Sequence, residues 1–146
     1  MTVDLETIKV LLAVVAGGFA LYTFWRNQKV RRAEWLASLY ERFYLNEGFK
    51  RTRALLDYAS DERTQLLECL VTDPENASAL EPLVDYLNFF EFVASLWKLG
   101  QLKTKEVEMM FEYYIRDLAK KPEVMGFIGK EGFEKLQELI AEINSP

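Results

Sequence analysis

The sequence predicts an all-α protein: an N-terminal transmembrane helix continuing into a cytoplasmic helical bundle of about five to six helices. Three observations carry this expectation. Residues 10–25 read VLLAVVAGGFALYTFW, apolar and without a charge. Beyond them, apolar residues recur three and four apart, the period of one helix face. With 7 glycines and 4 prolines in 146 residues, the chain has little punctuation for the many turns of a β fold. Half of the residues are hydrophobic and 14% aromatic, which argues for a packed core and against disorder.

The first element is the apolar run. Ile8 extends it past Lys9, whose ammonium can snorkel to the headgroups. At ~1.5 Å per residue, residues 8–25 cover about 27 Å, close to the ~30 Å of a bilayer's hydrocarbon core. Tyr22 and Trp25 stand where an interfacial aromatic belt would be. A helix in a soluble core usually keeps a polar face, and this one shows almost none. A cleaved signal peptide would start with a basic region and end in a small-x-small site. Asp4 and Glu6 precede this run instead, and Phe24, Trp25 and Arg26 end it. The expectation is a retained anchor at residues 1–32 and a helical domain at residues 33–146.

Charge sets the orientation. The net charge is −5, but Lys9, Arg26, Lys29, Arg31 and Arg32 against Asp4 and Glu6 give residues 1–32 a charge of +3, leaving −8 for the rest. Arg26, Lys29, Arg31 and Arg32 follow the apolar run directly. By the positive-inside rule this places the N-terminus outside the inner (cytoplasmic) membrane and the C-terminal domain in the cytoplasm. The four cations would rest on anionic lipid headgroups, at ~1 kcal/mol each. The acidic remainder is a poor match for nucleic acid, which needs concentrated positive charge. Within the span, Ala13 and Gly17 are four apart, as are Ala16 and Ala20. Small residues at this spacing let membrane helices approach closely, so homo-oligomerisation through this face is one expectation.

The helix is expected to run on to about Tyr44. No Gly or Pro falls between Phe19 and Asn46, and Ala33, Leu36, Tyr40 and Phe43 keep helical spacing. Asn46-Glu47-Gly48 breaks it. A second helix carries Phe49, Leu55, Leu56 and Tyr58. Ser60 caps a third, with Leu66, Leu67 and Leu70. Ser78 and Glu81 have capping-box spacing, with Pro82 in the first turn of a fourth helix over about 79–98 that Gly100 closes. Thr104 is expected to cap a fifth, ended by Lys120-Lys121-Pro122. A short turn at 123–129 and a last helix over about 131–143 complete the chain.

The fourth helix has the most distinctive pattern. Phe89, Phe90, Phe92, Val93, Leu96 and Trp97 cover more than half of its circumference, which makes it central. Asn88, Glu91, Ser95 and Lys98 form a narrow polar stripe. That stripe is either a solvent window, the expected reading, or an internal seam in which Glu91 pairs with Arg51 or Arg53.

Several motifs occur in a fixed order after the apolar span: W-x-x-x-L-Y-x-x-F-Y at 35–44, N-E-G-F-K-R-T-R at 46–53, L-N-F-F-E-F-V-A at 87–94 and L-G-Q-L at 99–102. In this the chain resembles a bacterial family of small single-pass membrane proteins of unknown function with a helical cytoplasmic domain. Its architecture is also similar to the pore-forming membrane accessory protein of RNA-targeting CRISPR systems. These likenesses imply fold and topology. Relatives of that group have been linked to a nuclease domain using Arg and His, and with no His here that role transfers to no residue.

The absence of histidine removes His-dependent nucleophile and acid–base systems and His-containing metal sites. The single cysteine, Cys69, reads as a small core residue. Glu106, Glu108, Glu112, Glu131, Glu134, Glu138 and Glu142 recur at helical spacings beside lysines, as on solvated faces. No catalytic, cofactor-binding or metal residues are expected, and no cofactor. The functional expectation is a membrane-tethered interaction module that binds itself or an unidentified protein partner. The alternative is an oligomeric pore or membrane-perturbing effector, for example in phage defence.

Overall fold

The computed structural model describes residues 4–72 and 77–145. The described residues are helical and contain no strand. The helices are α1 (Leu5–Leu45), α2 (Glu47–Asp57), α3 (Asp61–Thr72), α4 (Ala77–Lys98), α5 (Thr104–Ala119), α6 (Pro122–Lys130) and α7 (Glu134–Asn144). The chain divides into two compact units, Met1–Glu41 and Arg42–Pro146.

The first unit is the greater part of α1, a helix 41 residues long in all. It runs unbroken to Leu45, one residue beyond the Tyr44 that the spacing predicts. It is long and apolar enough to cross a membrane, and none of its most apolar 18-residue window is buried. Thr23, the one hydroxyl-bearing Ser or Thr of the apolar run, donates to the carbonyls of Phe19 and Ala20 at 3.0 and 2.9 Å. Its hydrogen-bonding demand is therefore met inside the helix. Lys9 pairs with Glu6 at 2.9 Å at the entry end.

The second unit is a bundle around α4. Leu80, Leu83, Leu87, Phe90 and Ala94 recur three and four apart and are at most 1% exposed; Tyr86 and Val93 extend that face. This buried arc meets α2, α3, α5 and α7. Helix α7 sends Leu136, Leu139, Ile140 and Ile143 into the same core. The last turn of α1 contributes Phe43, fully buried at the centre of an aromatic cluster. Its ring lies 4.8 Å from Tyr114, 5.3 Å from Phe89, Phe90 and Phe111, and 5.8 Å from Tyr86. Such edge-on and offset ring pairs add ~0.5–1.5 kcal/mol each beyond burial.

Several elements differ from expectation for local reasons. Residues 122–130 form a helix, not a turn: Pro122 occupies its first turn, and Val124, Phe127 and Ile128 bury one face despite Gly126 and Gly129. Helix α7 begins at Glu134, because Gly132 adopts φ +84°, which no α-helix includes. Helix α4 starts at Ala77, so Pro82 lies inside it rather than in its first turn. The Ser78 side chain lies outside the described residues. Thr104 does not cap α5; its hydroxyl accepts from Trp97 Nε1 at 3.0 Å, and Glu106 reaches back to the Lys103 N–H at 2.9 Å. Phe92 is 50% exposed and Trp97 half-buried, so the buried arc of α4 is narrower than its sequence suggested. Tyr58 caps the end of α2 and is exposed, and Cys69 is half-buried rather than core. The expected ends at Asn46, Ser60 and Gly100 hold: Asn46 Oδ1 accepts from Phe49 N, Ser60 Oγ accepts from Arg63 N, and Gly100 turns at φ +69°.

Candidate functional site

Two groups of side chains invite a functional reading, the exposed length of α1 and the charged residues set into the bundle. On α1, Ala13, Ala16, Gly17 and Ala20 are all exposed. A Cβ added at Gly17 would meet nothing within 4 Å, so this face is open. Arg26, Lys29, Arg31 and Arg32 are exposed too. At ~100° and ~1.5 Å per residue they fall on different sides of the helix within about 9 Å of its length. They form a collar around the helix rather than a patch on one side of it. The Arg32 guanidinium lies 6.0 Å from the Trp35 ring centroid.

In the bundle the structure separates the pair that the sequence suggested. Arg53 is 9% exposed and does not meet Glu91. Its guanidinium donates to the carbonyls of Phe43 at 2.6 Å and Tyr44 at 3.3 Å. These carbonyls belong to the last turn of α1, whose final C=O groups have no partner within the helix. The same cation lies 4.6, 5.1 and 5.8 Å from the rings of Phe43, Tyr44 and Tyr114. A positive charge is therefore held by the negative end of a helix dipole and by aromatic faces. Arg51 is exposed and takes no part.

Glu91 is neither a solvent-window residue nor an arginine partner. Its carboxylate accepts from the backbone N–H of Leu136 at 2.7 Å and Lys135 at 3.4 Å, and from Lys135 Nζ at 3.2 Å. Phe133, at the N-cap position before α7, supplies no side-chain cap. Glu91 supplies that cap from α4. Lys98 pairs with Glu138 of α7, and Ser95 donates to the Glu91 carbonyl at 2.8 Å. Asn88 is exposed. Two of the four stripe residues, Glu91 and Lys98, thus form a seam between α4 and α7.

Further side-chain pairs lie elsewhere in the bundle. Arg116 bonds Glu112 at 2.8 Å, and the nearly buried Lys121 pairs with Asp117 and donates to its carbonyl. Tyr113 donates to Asp57 Oδ1 at 3.1 Å, and that bond holds its phenol above the usual tyrosine range. Burial pushes the Tyr86 phenol well up, the nearby Arg53 charge opposing in part. Among the described residues no group of His, Cys, Asp or Glu is placed to hold a metal ion.

Two open hollows flank α2. One, of about 580 Å³, is lined by Arg51, Thr52, Leu55, Tyr58, Glu62 and Pro82 among others. The other, of about 500 Å³, is lined by Arg42, Asn46, Phe49, Asp85, Asn88 and Phe89. Sequence reasoning missed the roles of Arg53 and Glu91. The available signal was negative: α1 ends without a glycine, and α7 begins without Ser, Thr, Asp or Asn, so each end needed a partner from elsewhere. No family model, curated protein or solved structure matches the chain.

Proposed function

We propose that the chain is a membrane-tethered helical interaction module without catalytic activity, akin to the single-pass family it resembles. Residues 8–25 span the inner membrane, the N-terminus faces out, and the bundle is cytoplasmic. The observation that carries this reading is the wholly exposed apolar stretch of α1 with its collar of Arg26, Lys29, Arg31 and Arg32 directly after it. Exposing Leu11, Leu12, Val14, Val15, Phe19 and Leu21 at 63–68% each is costly in water and favourable in lipid. Bilayer, anionic headgroups and a protein surface are its partners. The buried charges of the bundle are engaged in holding helix ends, which supports a scaffold rather than a reaction centre.

The test is topology in the living membrane. A C-terminal reporter active only in the cytoplasm should work, and one active only outside should be silent. The reverse pattern would overturn both orientation and localisation. Recovery of the full chain in the soluble fraction would overturn the tether.

A further inference from the structure

We infer that α1 pairs with α1 of a second copy of this chain, in parallel, through a stripe that continues from the span into the cytoplasm; this rests on the tether proposed above. Between the collar and the bundle, Val30, Ala33, Ala37 and Tyr40 recur three and four apart, the a and d spacing of a two-stranded coil. All four are exposed, Val30 at 48% and Tyr40 at 43%, whereas Leu39 on another side of the helix is 5% exposed. The same register runs back through Leu12, Ala16, Phe19 and Thr23 in the span. Arg26 falls in it at headgroup level, where its long side chain can turn to lipid phosphate. Alanines at 16, 33 and 37 allow two backbones to come close.

The occupant is specified by charge. In a parallel pair, the g position of one helix faces the e position five residues further along the other. With Val30 at a, g is Lys29 and the facing e is Glu34, so each copy offers the opposite charge to its partner, twice by symmetry. Both residues are exposed. Copies held in one membrane with one topology are already parallel, and confinement to a plane raises their effective concentration.

The experiment uses the full chain in native membranes, with Cys69→Ser to remove the one native thiol. Single cysteines are placed on the stripe (Val30→Cys, Ala33→Cys, Ala37→Cys) and off it (Arg31→Cys, Ser38→Cys), followed by mild oxidation. Stripe positions should give about five-fold more cross-linked dimer than the others, because a and d residues face the partner. Adding Glu34→Lys to Ala37→Cys should lower the yield about three-fold, and adding Lys29→Glu as well should restore it. Equal cross-linking at all five positions, or none, with the chain still in the membrane pellet, would overturn the pair and leave the tether standing. Cross-links to a different protein would overturn the pair as well. A chain found in the soluble fraction would overturn the tether first and the pair with it.

Discussion

Removing the Glu91 carboxylate is the sharpest probe of how the bundle is held. Glu91 accepts two backbone N–H groups of the first turn of α7, and its side chain is 17% exposed. In Glu91→Ala those donors lose their acceptor. Losing a helix N-cap costs ~0.5–2 kcal/mol, and losing a bond to a charged group ~1.5–3 kcal/mol. The contact at 3.4 Å is long, and the Lys135 ammonium is 48% exposed, so its ion pair adds little. The expected loss is therefore about 2 kcal/mol, or about 10 °C in Tm for a bundle of this size. Glu91→Gln keeps one acceptor without the charge and should lose about half as much. Near-UV circular dichroism of the full chain in mild detergent follows the packed rings directly, unaffected by the helicity of the span. A Glu91→Ala protein within about 0.5 kcal/mol of wild type would place the carboxylate in solvent and refute the cap.

Three further outcomes follow from the same packing. Phe43→Ala should destabilise the bundle by ~3–5 kcal/mol in urea titrations, since its ring is fully buried among Tyr86, Phe89, Phe90, Phe111 and Tyr114. Arg53→Met should cost ~2 kcal/mol by uncapping α1, and combined with Glu91→Ala it should be additive within about 0.5 kcal/mol; strong coupling would mean that the two residues pair after all. Burial raises the Tyr86 phenol above its unfolded value. The folded chain then holds that proton more tightly, so this contribution is complete below pH ~10 and lost as pH climbs through the raised folded value. Alkaline melts should show that decline, and Tyr86→Phe should flatten it.

The architecture was legible where one physical signal dominated. The apolar run, the absence of Gly or Pro from residue 19 to residue 45 and the wide apolar arc of α4 each imply their element without help from the rest of the chain. The break at Asn46, the cap at Ser60 and the stop at Gly100, each set by residues close in sequence, were equally readable. What was not legible depended on partners far apart in sequence. Glu91 is 45 residues from Leu136, and Arg53 is 10 from Phe43. Helix α6 was hidden for a different reason: at 9 residues with two internal glycines, it forms because Val124, Phe127 and Ile128 are buried against the bundle, not because its local propensity is high. Phe92 shows the opposite error, an aromatic residue on a broad apolar arc that the neighbouring helices do not fully cover.

The sequence made Glu91 and an arginine look like candidates for one buried ion pair, and the fold has a physical reason to keep them apart. Pairing them would desolvate both charges and still leave the last carbonyls of α1 without donors and the first amides of α7 without acceptors. Placed as they are, each charge meets the helix end of opposite polarity: the cation at the C-terminus of α1, the anion at the N-terminus of α7. Each desolvation is then offset by groups that had to be satisfied anyway, and among the described residues no buried side-chain nitrogen or oxygen is left without a hydrogen bond. The same arrangement fixes the end of α1 by a buried cation held to its last carbonyls and stacked among three rings. Replacing Arg53 by lysine keeps the charge but loses the planar two-carbonyl grip. Arg53→Lys should therefore behave more like Arg53→Met than like wild type, which a net-charge account of the site would not allow.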